Sequence, residues 1–225
     1  MDNEYRYTNR AGTPAVAGEQ AAQVLRNTYG LLAMSLAVSA AAGWFAMANN
    51  VGFINPFVVI GVYFALLFVN AKLENSAWGI LSVFGITGWL GFTTGPIIAF
   101  YANLPGGMAV VNTALSMTAV VFMSMSAIAL VTRKDFSFMG SFLMVGLIIA
   151  FVCAIVTLFV DMPVLRLAVS AMFALLSSLL ILWQTSAIIH GGETNYIRAT
   201  VVLFVSIYNL FLSLLHLLTA LSGDD

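Results

Sequence analysis

The chain has 225 residues, of which 61% are hydrophobic and 8% charged, with a formal net charge of −1. A soluble domain carries roughly 25% charged residues, so this composition excludes a water-soluble fold and makes lipid the solvent for most of the chain. The near-zero net charge argues against a nucleic-acid partner, and two histidines with one cysteine, Cys153, supply neither a disulfide nor a cluster with metal-ligand spacing.

Met1–Gln23 holds Asp2, Glu4, Arg6, Arg10 and Glu19 among Gly, Ala, Thr, Pro and Gln. That composition predicts a flexible tail and not a signal peptide. Charges then become sparse. None lies between Arg26 and Lys72, and none between Glu74 and Arg133. A bilayer core takes about 20 apolar residues per helix, so each of these gaps holds two spans. Asp135–Asp161, Arg166–Glu193 and Arg198–Asp224 hold one each. The predicted spans are Val24–Met47, Pro56–Val69, Ala77–Tyr101, Met108–Val131, Phe136–Val160, Val164–Ile189 and Tyr196–Ala220. The second is short, and it is extended toward Val51 with Pro56 tolerated in its first turns. The chain thus divides into a tail over 1–23, a seven-helix transmembrane domain over 24–220 and a short acidic end over 221–225. Turn residues separate the spans, among them Asn49-Asn50, Pro105-Gly106-Gly107 and His190-Gly191-Gly192.

Orientation follows from the distribution of lysine and arginine. Arg6, Arg10, Arg26, Lys72, Arg133, Lys134 and Arg198 fall on one side of a seven-span chain, and only Arg166 on the other. This predicts a cytoplasmic N-terminus and an external C-terminus. Lipid supplies no hydrophobic drive between helices, so packing should use small residues. The third span offers Gly85, Gly88, Gly91 and Gly95, with Gly91 and Gly95 a GxxxG pair. Gly95-Pro96 predicts a kink, because proline removes a helical hydrogen bond. Ala168, Ala171 and Ala174 with Ser170, Ser177 and Ser178 predict a second smooth face in the sixth span.

Ion and proton carriers keep ionisable groups at membrane depth. Here no Asp, Glu, Lys or Arg lies well inside a span; Arg26, Arg166 and Arg198 sit at span ends, where they can snorkel. The polar residues expected to be buried are neutral: Asn112, Gln184, Ser206 and Asn209. Gln184 lies roughly 7 to 8 Å from its helix end at 1.5 Å per residue. Ser206 and Asn209 share one face of the last span, so a hydrogen-bonded cluster with Gln184 is expected, either as interhelical glue worth about 0.6 kcal/mol per bond or in a gating or binding role. His216 reads as a satisfied interfacial histidine, Met117, Met123 and Met125 as gap filler, and Trp183 and Tyr196 as interfacial anchors.

The turn between the last two spans, His190-Gly191-Gly192-Glu193-Thr194-Asn195, carries the densest polar content of the apolar region. Thr194 or Asn195 can cap the last helix, with Glu193 near its positive end. Capping does not call for His190 or Arg198. One histidine and one glutamate without an arranged nucleophile or second base predict no enzymatic activity, and no cofactor is expected.

At these residues the chain resembles a known family. His190 to Thr200, with Tyr196-Ile197-Arg198 inside it, followed by Ser206-Ile207-Tyr208-Asn209-Leu210-Phe211, is similar to the C-terminal hairpin of the Bax inhibitor-1 (TMBIM) family, in its bacterial YccA-like branch. Val24-Leu25-Arg26-Asn27-Thr28-Tyr29, Gly91 with Gly95-Pro96, and Thr132 to Phe138 add weaker matches, and the resemblance covers about Val24 to Leu218. It implies a seven-helix membrane fold with the last helix central. Many members are pH-sensitive calcium leaks whose sensor is a pair of aspartates, in the sixth and seventh helices. Gln184 and Ser206 stand at those positions here, and neither can titrate or offer calcium a carboxylate. The YccA-like branch implies a different role, an inner-membrane modulator of the FtsH membrane protease that acts as a binding partner or slow substrate. The cytoplasmic tail suits such a protease as a handle. A calcium or proton leak is the alternative, disfavoured by the missing carboxylates.

Overall fold

The computed structural model describes residues 14–223. Seven helices follow one another: α1 (Pro14–Ala48), α2 (Pro56–Leu73), α3 (Trp78–Ala102), α4 (Gly107–Thr132), α5 (Met139–Val156), α6 (Pro163–Ile189) and α7 (Tyr196–Ser222). Each apolar run becomes one helix long and apolar enough to cross a membrane. The protein is therefore an all-α, multi-pass membrane protein.

Three helices differ most from expectation, and α2 also runs on past Val69 to Leu73. α1 begins at Pro14, so Pro14–Gln23, expected in the tail, is helical; residues 1–13 and the acidic Asp224 and Asp225 lie outside the described residues. α2 begins at Pro56 and gains nothing toward Val51. Asn55 caps it, its Oδ1 accepting from the Phe57 N–H at 2.9 Å, and Pro56 at the first position has no N–H to orphan. α5 is shorter than Phe136–Val160 at both ends. Phe136–Phe138 form a turn in which the Phe136 carbonyl accepts from Met139 N–H, and beyond Val156 the Thr157 hydroxyl turns back to the Ala154 carbonyl. With 18 residues each, α2 and α5 are about 27 Å long, slightly short of a hydrocarbon core of about 30 Å.

The last helix is central. α7 packs against α1, α3, α4 and α6, while α2 rests on α3 and α5 on α6. α7 buries Ile197, Leu203, Phe204, Leu210 and Leu215 on several faces, whereas α2 buries only Asn70 and α5 only Leu143 and Ala150. The two peripheral helices touch through Phe64 and Phe151, rings 5.7 Å apart and edge to face.

The tightest seam joins α1 and α3. A Cβ on Gly91 would lie 2.2 Å from the Ser39 carbonyl oxygen, and one on Gly95 2.6 Å from the Gly43 carbonyl oxygen. Only hydrogen fits at either place. The GxxxG pair is thus a close-approach surface, where dispersion replaces the missing hydrophobic drive. Pro96 lies just beyond it, inside α3, which continues to Ala102. The smooth face of α6 is only partly used: Ser177 is buried, but Ala168 and Ala171 face outward.

Candidate functional site

The α6–α7 turn is built from its own backbone first. His190 N–H donates to the Ser186 carbonyl, and Gly192 N–H to the Ala187 carbonyl at 2.8 Å. Gly191 takes φ +74, the left-handed value that glycine adopts without a Cβ penalty. Asn195, and not Thr194, caps α7: its Oδ1 accepts from Ile197 N–H at 2.9 Å and Arg198 N–H at 3.3 Å. Its backbone N–H donates to Glu193 Oε1 at 2.8 Å. This local geometry leaves the remaining polar atoms facing outward from the hairpin.

They meet the two other loops at the same end of the bundle. Asn195 Nδ2 donates to the Glu74 carbonyl and to Asn75 Oδ1, both at 3.0 Å. Arg198 grips the Glu74 carboxylate with two nitrogens, Nη2 at 2.7 Å and Nε at 3.2 Å, and lies 3.8 Å from Glu193. The Glu74 side chain is only 15% exposed while that of Arg198 is 53% exposed, so the carboxylate is the sheltered partner of this bidentate pair. On the other flank, Ser186 Oγ donates to the Lys134 carbonyl and accepts from Phe136 N–H, both at 3.1 Å. His190 joins two segments: Nδ1 lies 2.9 Å from the Ser186 carbonyl of its own helix, and Nε2 lies 3.1 Å from the Arg133 carbonyl that follows α4. Asp135 accepts from the Ser137 hydroxyl and N–H, and these bonds, followed by the nearby His190, hold its carboxyl below the ordinary carboxylate range.

The hairpin is thus a polar clasp. It ties the α2–α3, α4–α5 and α6–α7 loops into one surface, at the end of the bundle that carries Lys72, Arg133, Lys134 and Arg198. Of the residues singled out in the sequence, His190, Glu193 and Arg198 all act in it, while Gly191 and Gly192 shape the turn. Tyr196 packs against the main core cluster. Glu74, Asn75 and Ser186 were missed. Their partners lie 120 or more residues away for Glu74 and Asn75 and 50 or more for Ser186's contacts with the α4–α5 loop, a pairing that no spacing along the chain reveals.

The predicted cluster of Gln184, Ser206 and Asn209 is not formed. Gln184 and Ser206 are each 2% exposed. Ser206 Oγ donates within its own helix, to the Val202 carbonyl at 2.8 Å, because a carbonyl one turn back is always within reach of a helical serine. The Gln184 amide nitrogen is buried without a partner. Asn209 is half-buried, and Asn112 is exposed, contrary to expectation. The helical period turns Val111 and Ala114 inward and leaves Asn112 outside, about 7 Å from the helix start, where a carboxamide can reach the interface. Polar links from α6 and α7 run instead to α1: Tyr29 Oη and Thr185 Oγ1 are 3.2 Å apart, and Thr200 Oγ1 donates to the Thr28 carbonyl at 3.3 Å. His216 Nδ1 meets Ser170 Oγ at 2.7 Å across α7 and α6. Trp183 packs over Gly140 of α5. Among the described residues no group of three or more His, Cys, Asp or Glu is placed to hold a metal ion.

Comparison with known proteins places this geometry in context. A family profile described as "Inhibitor of apoptosis-promoting Bax1" matches residues 21–223. A Pseudomonas aeruginosa protein, PA2604, is 50% identical over 202 residues, covering 90% of this chain and 91% of its own length. The Escherichia coli K12 protein named "Modulator of FtsH protease YccA" is 47% identical over 206 residues, covering 90% and 92%. An uncharacterized membrane protein of Vibrio cholerae is 44% identical over 207 residues with the same coverage.

Proposed function

The chain belongs to the Bax inhibitor-1 family, and from that premise we propose that it is a non-enzymatic regulator of the bacterial inner membrane that modulates FtsH-type proteolysis as a binding partner or slow substrate. The observation that carries this reading is the 47% identity to YccA, named a modulator of FtsH protease, over nearly the whole of both chains. The clasp supports it. A regulator that offers a surface to a protease needs loops in defined places, and directional hydrogen bonds between three loops supply that. The same surface carries Lys72 at the end of α2, with Arg133, Lys134 and Arg198. By the distribution of basic residues it faces the cytoplasm together with the N-terminal end of the chain.

The handle for the protease is the stretch ahead of α1. Deleting residues 1–13 should abolish the effect of the protein on turnover of an FtsH membrane substrate, while the seven-helix body still inserts. Unchanged turnover would refute the handle, and failure of the full-length protein to co-purify with FtsH or alter its turnover would refute the regulator. The alternative, a pH-sensitive calcium or proton leak, is disfavoured because Gln184 and Ser206 replace the carboxylates on which that chemistry depends. Calcium flux into liposomes containing the purified protein, lost on substitution of Gln184, would reverse that order.

A further inference from the structure

A cavity of about 460 Å³ opens on the side of the bundle between α1 and α4. These two helices both pack on α7, and each packs on α3, but they meet one another sparsely, at Tyr29 and Phe122, rings 5.8 Å apart. The gap between them is floored by α3 and α7, at Gly91 and Phe211 among others, and walled by α1 and α4. All of its lining lies within membrane-spanning helices. No Asp, Glu, Lys, Arg or His lines it. The hydroxyls of its two threonines are engaged by their own helices, Thr94 with the Leu90 carbonyl and Thr118 with the Ala114 carbonyl. The opening is edged by Trp44, 71% exposed. The cleft reaches from the middle of the bundle to the end opposite the clasp, since its α1 lining runs from Leu36 to Met47, next to the end of that helix at Ala48.

We infer that this cleft is a binding site for a single acyl chain of a bilayer lipid, in the leaflet opposite the clasp. Three observations select that occupant. First, the medium at this depth is hydrocarbon, and the wall is almost wholly apolar, with Ser39, Trp44 and Tyr208 the polar-tipped side chains beside the two engaged threonines. Second, the cleft is short. Its α1 lining is about 17 Å long at 1.5 Å per residue, and toward the clasp the rings of Tyr29 on α1 and Phe122 on α4 close it at 5.8 Å, so it spans about half of a hydrocarbon core of about 30 Å, the reach of one leaflet's chains and not of a helix that crosses the bilayer. An alkyl chain, about 4 Å thick at carbon contact distances, fits. Third, the lining offers no cation for a lipid headgroup, so recognition is of the chain and not of its charge. The site is independent of the protease reading above.

The test is photolabelling in nanodiscs with a phospholipid bearing a diazirine at mid-chain, mapped by peptide mass spectrometry. The expected result is labelling concentrated on the facing stretches of α1 and α4, several-fold above the outward face of α5 at Val145 and Ile149, which ordinary surrounding lipid also touches. Ala40→Trp and Ala119→Trp, on opposite walls, should each reduce cleft labelling several-fold and leave α5 labelling unchanged, with helix content by circular dichroism as the check on folding. Zwitterionic and anionic probes should label alike. Labelling of the cleft no stronger than that of α5, or unaffected by a folded Trp variant, would overturn the site. A protein crosslink in place of the lipid, or a strong preference for the anionic probe, would overturn the assigned occupant. Should one variant fail to fold, the other variant and the wild-type labelling pattern still decide.

Discussion

The two ends of this bundle are closed by different physics. At one end, Asn195, Arg198, Ser186 and His190 reach across to loops 50 to 124 residues away with hydrogen bonds and a bidentate ion pair. At the other, the loops keep their polar bonds local. Asn49 bonds the Phe45 carbonyl, Asn55 caps α2, and Arg166 pairs with Asp161. The loops there meet other elements through rings, Phe53 on Phe100 at 5.8 Å and Phe57 on Phe159 at 6.1 Å, and the helices through the bond of Ser170 with His216. Hydrogen bonds fix direction and register, whereas exposed aromatic rings anchor a surface in the interface without specifying one geometry. The clasped end is accordingly the one with a defined polar surface, and the cleft opens toward the aromatic end.

The sharpest way to break the contrast is at Asn195. Asn195→Ala removes the α7 cap and both bonds to the α2–α3 loop, and should cost about 2 kcal/mol, read as a lower unfolding temperature in detergent. A loss no larger than that of an exposed surface alanine would show that the clasp is incidental. The next effect is the coupling between Glu74 and Arg198. A double-mutant cycle with alanine should return about 1 kcal/mol, because the geometry is bidentate but Arg198 is half exposed, and the coupling should shrink in high salt. At the aromatic end Phe53→Ala should cost only about 0.5 kcal/mol, since the ring is exposed already. An equal loss at both ends would erase the distinction.

The smallest effect is one of pH. The Asp135 carboxyl titrates below its ordinary value in the folded chain because Ser137 donates to it. A depressed carboxylate contributes stability above its unfolded value, about pH 3.9, and that contribution is lost as pH falls through the folded value. Ser137→Ala should raise the Asp135 midpoint toward the ordinary range, followed by carboxyl NMR. The stability difference between wild type and variant should be present at neutral pH and vanish in acid. A midpoint that does not move would assign the shift to another neighbour.

Seven helices, their order and which loops share an end were legible in the chain alone. Partitioning into a bilayer depends on local composition over about 20 residues, and charge at the loops needs no knowledge of contacts. The Gly91 and Gly95 surface was legible for the same reason, as a local pattern of small residues. The hairpin was recognisable too, and so was the absence of carboxylates at Gln184 and Ser206. What only the tertiary structure decided was where side chains meet. It paired Arg198 with Glu74, set His190 against the Arg133 carbonyl, turned Ser206 onto its own helix, left Asn112 outside and opened a cleft between α1 and α4. Those outcomes depend on the rotation of each helix about its axis and on contacts between distant segments, and in an apolar sequence with few charges many rotations look alike until the helices are packed.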